Sequence, residues 1–312
     1  MDYSIFYKDD YTSPDQVNGH WDYFISAFNS SDRVNNVFDL VSADIKYWLV
    51  FPEYGFQPEE VPVGSHFLAG NDEAECMLGF LRQSGIQAHH RVCIDITGFI
   101  RPHLIFMICW LHGSGVKTFD AIYSEPSQYL KKEDTTFSDG KVTTIRQVKG
   151  FEGQHSPDLS NDILIIGSGY DDILISQVAE NKNNAKKIQI FGLPSLRPEF
   201  YQQNILRAEL ASESVGRDTG EHHNSYFAPA YDPFVTANVI AEIINKERSM
   251  KQLSNIYLCP LATKAQVLGF TIFYLYELSE GGASIIFPFC NKYAKETSTG
   301  VSRIWKYTVE LP

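Results

Sequence analysis

Residues 91–112 read Arg91-Val-Cys-Ile-Asp-Ile-Thr-Gly-Phe-Ile-Arg-Pro-His-Leu-Ile-Phe-Met-Ile-Cys-Trp-Leu-His. An apolar run, Val92-Cys-Ile-Asp-Ile, ends at Thr97-Gly98, and a segment of helical length opens on Arg101-Pro102. A run without polar alternation suits a strand covered on both faces. Pro in the first helical turn costs nothing, because its missing N–H has no partner there anyway. The stretch is a strand, a glycine turn and a helix. The rhythm recurs. Trp48-Leu-Val-Phe, Ile163-Leu-Ile-Ile, Ile188-Gln-Ile-Phe, Ile256-Tyr-Leu-Cys and Ile285-Ile-Phe are short apolar runs, and 100–112, 172–181, 198–212, 233–246 and 263–278 have helical length. Such alternation predicts an α/β fold, with a Rossmann-like, mostly parallel sheet and helices on both faces.

Three stretches depart from the rhythm. Asp139-Gly140 lies between β-prone flanks. It predicts a β-hairpin insertion near 130–150, since glycine accepts the positive φ of such turns. The polar segment 216–225, with Asp218, Gly220, Glu221, His222 and His223, reads as a loop. Ile304-Trp-Lys-Tyr-Thr-Val-Glu-Leu alternates like a last strand, expected at a sheet edge. No linker divides the chain, so 1–312 reads as one large domain, with a seam near 151–160 if there are two lobes. Ile96-Thr-Gly-Phe-Ile-Arg-Pro and Phe191-Gly-Leu-Pro-Ser-Leu-Arg-Pro form a short internal echo.

With 312 residues the chain can bury a core that needs no metal or disulfide staple. Lys+Arg number 26 and Asp+Glu 38, a net charge of −12, which argues against an extended nucleic-acid surface. Five scattered cysteines without a CxxC pair fit buried thiols in a reducing compartment. Met1-Asp-Tyr-Ser lacks a basic leader, and the longest apolar runs, 104–111 and 267–276, fall short of the roughly 18 residues a membrane span needs. The expected location is cytoplasmic, with no membrane partner.

In an open parallel sheet, ligands bind beyond the carboxyl ends of the strands. That rule selects Asp95, Thr97, Gly98 and Arg101 after one strand, and Ser124 and Glu125 after another. It adds Gly167, Ser168, Gly169 and Asp171, then Ser195 and Arg197, then Thr263 and Lys264. Arg101, Arg197 and Lys264 each stand at a helix start, where free N–H groups and a cation together favour a phosphate or carboxylate. The plainer alternative is that each is solvated or paired with a surface acid. In Ile166-Gly-Ser-Gly-Tyr-Asp-Asp the third glycine of GxGxxG is replaced by Asp172, and Asp171 and Asp172 repel a pyrophosphate. That turn fits a sugar or base better. His89-His90, His222-His223 and Asp2/Asp9/Asp10 lack metal-ligand spacing, so no metal is expected, and no motif assigns a cofactor. Ser124 and Ser168 lie outside a nucleophile elbow. Tyr54, Tyr123, Tyr129 and Tyr170 either stack on a base or pack as core.

Two resemblances follow from quoted residues. Trp21-Asp-Tyr-Phe-Ile-Ser-Ala-Phe-Asn-Ser-Ser-Asp-Arg-Val looks like the first strand and helix of TIR domains, which implies a nucleotide hydrolase with Glu53 or Glu125 acting on a glycosidic bond. Cys93-Ile-Asp-Ile-Thr-Gly together with Pro260-Leu-Ala-Thr-Lys-Ala-Gln-Val-Leu-Gly resembles the CRISPR-associated Rossmann-fold (CARF-like) sensor domains. That resemblance implies Thr97, Gly98, Thr263 and Lys264 as contacts for a cyclic oligonucleotide, usually across a dimer. Ala262 stands where that family has a glycine, and the motif spacing is wider than a compact sensor domain expects.

Three classes of function remain. The first is a nucleotide sensor or regulatory subunit, of the antiviral-defence kind the second resemblance implies, with Arg101, Arg197 and Lys264 holding phosphates. The second is a nucleotide-processing enzyme with Glu125 or Asp95 as acid or base. The third is a non-catalytic subunit whose partner is another protein. A homodimer is compatible with all three.

Overall fold

The computed structural model describes residues 1–129, 138, 141–169, 171–197, 202, 206, 212–215, 224–295 and 298–312. The strands are β1 (Tyr7–Tyr11), β2 (Trp21–Ala27), β3 (Ala43–Val50), β4 (His66–Phe67), β5 (Val92–Asp95), β6 (Thr118–Tyr129), β7 (Val142–Gln147), β8 (Ile163–Ser168), β9 (Lys186–Gly192), β10 (Ser225–Ala228), β11 (Ile256–Pro260), β12 (Ala283–Cys290) and β13 (Ser298–Glu310). The longer helices are α1 (Asp32–Leu40), α2 (Glu73–Leu81), α3 (Arg101–Gly113), α4 (Asp172–Asn181), α5 (Pro233–Met250) and α6 (Lys264–Glu277). Every residue of β5, β8 and β11 is buried, as continuous apolar runs require of strands with both faces covered. Helix starts follow local chemistry. Asp72, Asp232 and Thr263 accept backbone N–H bonds at the N-caps of α2, α5 and α6.

The α/β reading holds, divided between two sheets and two compact units. The first unit comprises Phe6–Asp139 and Lys292–Pro312; the second comprises Met1–Ile5 and Gly140–Asn291. Residues 151–160 lie inside the second unit, where Phe151 is fully buried and its carbonyl accepts from Ile285 N at 3.1 Å. The first unit's sheet runs β1-β13-β6-β5-β2-β3-β4, parallel from β6 to β4, with β13 antiparallel to β6 and β1 antiparallel to β13. The second runs β10-β9-β8-β11-β12-β7, parallel except for β7.

Counted within its own unit, each parallel set has the order 3-2-1-4-5, with one antiparallel strand added beside strand 5. In that order the first and fourth strands are neighbours from which the chain departs in opposite directions, which makes a crevice at their carboxyl ends. These switch points lie between β2 and β5, and between β8 and β11. The topology relates β5–α3 to β11–α6, so Arg101 and Lys264 occupy the same first helical position. The echo between 96–102 and 191–198 does not follow this relation, because the first copy trails a fourth strand and the second a second strand.

Two expected features differ. Strand β13 is internal, flanked by β1 and β6, rather than at an edge. Its outer neighbour β1 (Tyr-Lys-Asp-Asp-Tyr) is largely exposed and carries no apolar alternation to announce it. Strand β7, the second arm of the expected hairpin, pairs antiparallel with β12. The turn of that hairpin, 139–140, lies outside the described residues, as do 130–137, the loop 216–223 and most of the helix expected over 198–212.

Gly98 and Gly169 close the two crevices at their base. A Cβ on Gly98 would lie 2.1 Å from the Ala27 carbonyl oxygen, and one on Gly169 would lie 2.3 Å from that of Leu261. Gly98→Ala is therefore expected to destabilise the chain by about 1–3 kcal/mol, the usual effect of forced overpacking. Gly79→Ala, in α2 with nothing within 4 Å of the new methyl, is expected to stabilise by about 0.5–1 kcal/mol. Urea unfolding of the two variants checks the opposite signs.

Candidate functional site

The carboxyl edge of the first unit gathers polar side chains that are almost wholly buried. Asp95, at the end of β5, has no exposed surface. Its Oδ2 accepts from Ser26 Oγ of β2 at 2.9 Å and its Oδ1 from Thr97 N at 3.0 Å. Thr97 Oγ1 accepts from Ser124 N of β6 at 3.0 Å, and the Ser124 carbonyl accepts from Arg33 Nη1 of α1. One hydrogen-bonded path thus joins β2, β5, β6 and α1 across the switch point. Arg33 and Arg101 are each 8% exposed, on the two helices that leave this crevice.

Two donors here lack acceptors among the described residues: Arg33 Nε and the hydroxyl of Ser124, both buried. A buried unsatisfied donor costs about 1–3 kcal/mol, so such atoms take a water or a ligand oxygen. The Tyr54 hydroxyl donates to the Gly98 carbonyl at 2.8 Å. Burial pushes its phenol well above the ordinary range, Glu53 pushes the same way, and Arg101 and Arg33 oppose it, so both guanidinium groups act on one spot. Beside it Glu53 Oε1 lies 3.5 Å from Nε2 of the buried His103, while Glu53 Oε2 is buried without a partner.

The carboxylates considered as acid or base are both engaged. Burial raises the Asp95 carboxyl above its usual range, against hydrogen bonds from Thr97 and Ser26 and the charge of Arg33. Glu125 is buried, and its Oε1 accepts from Trp305 Nε1 at 2.6 Å. Of the expected aromatic contacts, Tyr123 is buried in β6, while the Tyr129 side chain and Tyr170 lie outside the described residues.

The second unit's edge holds the other expected residues. Arg101 belongs to one sheet and Arg197 and Lys264 to the other, so the three cations do not share a sheet edge. Gly167 packs against the Phe270 ring and Ala262, and Gly169 against the Leu261 backbone, so this turn is filled by protein. The Ser168 hydroxyl donates to Gln189 Oε1 at 2.7 Å. Thr263 Oγ1 caps α6 by accepting from Gln266 N at 3.2 Å and donates to the Ala230 carbonyl. Ser195 Oγ donates to the Arg197 carbonyl. Lys264 and Arg197 are half-buried.

Sequence reasoning placed Asp95, Thr97, Gly98 and Arg101 at the end of one strand, and the structure puts them there; Ser124 and Glu125, expected beyond the end of another, lie inside β6, just past its pairing with β5. That reasoning passed over Arg33 and His103. The signal for Arg33 was present: it is the second residue of the helix after the strand 21–27, on the other side of the crevice from Arg101. Among the described residues no group of three or more His, Cys, Asp or Glu is arranged to hold a metal ion. All five cysteines are free thiols, and among the described residues no helix is long and apolar enough to cross a membrane.

Asp95 makes a signed prediction. The folded chain holds the Asp95 proton to higher pH than the unfolded chain, so its contribution to stability falls as pH rises from the ordinary carboxylate range through the folded-state pKa. Asp95→Asn lacks that titration. The difference in unfolding free energy, wild type minus Asp95→Asn, is expected to fall with rising pH in mildly acidic urea titrations. A difference independent of pH overturns the assignment. No protein-family model matches this chain, and no curated protein matches it.

Proposed function

We propose that the protein is a nucleotide-binding sensor or regulatory subunit that holds a phosphate-bearing ligand at the carboxyl edge of its first unit. The observation that carries this reading is the pair Arg33 and Arg101, each more than nine-tenths buried on either side of the switch point, with Arg33 Nε and Ser124 Oγ lacking acceptors. A guanidinium so placed is already desolvated and positioned, so an oxyanion that reaches it forms charge-assisted hydrogen bonds at little further ordering cost. Thr97 and Gly98 lie on the loop that leads into Arg101, and the Tyr54 hydroxyl donates to the Gly98 carbonyl beside them. Asp95 and Glu125 fit positioning better than catalysis, since both are buried and hydrogen-bonded. The CARF-like resemblance and a cytoplasmic defence role accord with this reading, as does assembly with a second copy or another protein.

A second reading keeps one observation of its own. The half-buried Glu53 beside the buried His103, with Glu53 Oε2 unpartnered, is an arrangement suited to proton transfer in a nucleotide-processing enzyme.

A thermal-shift panel of mono-, di- and cyclic nucleotides, with the recovered ligand examined by mass spectrometry, separates the two. A ligand at 100 times its dissociation constant stabilises by about 2.7 kcal/mol. The expected result is a stabilising nucleotide recovered intact, with binding weakened at least tenfold in Arg101→Gln and in Arg33→Gln and partly restored in Arg33→Lys. A consumed nucleotide whose turnover is lost in Glu53→Gln favours the enzyme. Binding unchanged in both arginine variants removes this site.

A further inference from the structure

A cavity of about 480 Å³ opens at the other edge of the first unit's sheet, where β2, β5 and β6 begin. We infer that it binds a small molecule bearing at least two negative oxyanion charges. Arg91, Lys117 and Lys306 line it, and Asp120 is the one acid among the lining residues, a formal charge of +2 with the histidines neutral. In a chain of net charge −12 the lining residues themselves carry the opposite sign.

Asp120 does little to offset the cations toward the opening, because its carboxylate is turned to the wall. Its Oδ2 accepts from Trp21 Nε1 at 2.7 Å and its Oδ1 from Thr308 Oγ1 at 2.6 Å. The acids paired with Arg91 and Lys306, and the residue whose oxygen accepts from Lys117, are outside the lining set. Arg91 lies 3.5 Å from Asp22 and Lys306 lies 3.2 Å from Asp9, while Lys117 Nζ donates to the Pro312 oxygen at 3.1 Å. Lys306 also donates to the Asn18 carbonyl at 3.0 Å. Ion pairs with exposed partners contribute about 0–1 kcal/mol, so an incoming dianion displaces them at small cost.

Three imidazoles complete the wall: His20, His89 and His90. His20 is already bonded through Nε2 to Asp44 and through Nδ1 to Ser42. His90 Nδ1 accepts from Gln87 N at 2.9 Å, which makes Nε2 its N–H donor. The His89 ring lies 4.2 Å from that of His90 and is exposed. The volume suits a ligand with a body beyond its anionic groups. A sugar phosphate, a nucleotide or an organic polycarboxylate all carry the required chemistry.

This site is independent of the carboxyl-edge reading and is tested separately. Inorganic pyrophosphate and citrate are each titrated calorimetrically into the full-length chain at constant ionic strength. At least one is expected to bind, with affinity reduced at least tenfold in Arg91→Gln/Lys117→Gln and unchanged in Arg101→Gln. Both substituted residues of the double variant are exposed, and an unaltered thermal midpoint establishes that it folds. The anion that binds, phosphate or carboxylate, gives the ligand class. It is also expected to move the imidazole NMR signals of His89 and His90, assigned with His89→Gln. Binding of neither anion overturns the inference. So does unchanged affinity in the double variant, or loss confined to Arg101→Gln.

Discussion

A carboxylate with no exposed surface holds together the two loops between which the first unit's candidate site lies. At a switch point the first and fourth strands lead to helices on opposite sides, and strand pairing alone leaves their ends free to part. Asp95 spans that break by accepting from Ser26 on β2 and from Thr97 beyond β5. Thr97 passes the connection to Ser124, and Ser124 to Arg33. Hydrogen bonds in a poorly polarisable interior are stronger than in water, and the cost of leaving one unmade rises equally. The position of Arg33 therefore follows from that of Asp95.

The second unit repeats the strand order with different chemistry at the corresponding places. Ser26 pairs in register with Asp95 in the first unit; Gly167 pairs with Pro260 in the second. Where one has a hydroxyl–carboxylate bond, the other has two residues without polar side chains. What persists is a cation at the first position of the helix after the fourth strand, Arg101 in one unit and Lys264 in the other. The helix terminus attracts negative charge in both. Among the described residues only the first unit adds a second buried guanidinium on the helix after its first strand.

The fold was legible wherever burial left a mark on the sequence. β5, β8 and β11 are buried along their whole length and read as unbroken apolar runs, and α3, α4 and α6 follow them within a residue or two of the expected limits. What periodicity cannot carry is pairing. Nothing local says that β13 lies between β1 and β6, or that β7 joins β12, because partners far apart in sequence are chosen by which faces and edges remain to be covered. The division into two sheets was hidden for the same reason, and with it the separation of Arg101 from Arg197 and Lys264. Arg33 was missed because its motif looks like an ordinary capped helix start, and its meaning lies in reaching Ser124, 91 residues away.

A strongly acidic chain and an anionic ligand are compatible on physical grounds. At physiological salt the screening length is about 8 Å, so the net charge of −12 weakens approach more than it weakens contact. At contact the nearest groups dominate, and a guanidinium already stripped of water acts through a lower dielectric than one on the surface. A broad basic face would hold any polyanion. In the proposed reading, Arg33, fixed through Ser124 and Thr97 to Asp95, and the buried Arg101 meet oxygen atoms only in particular places, and an acidic exterior disfavours nucleic acid that has nothing to insert there. In the proposed reading, the charge balance that argues against a nucleic-acid surface is thus the background against which a few enclosed cations select a small ligand.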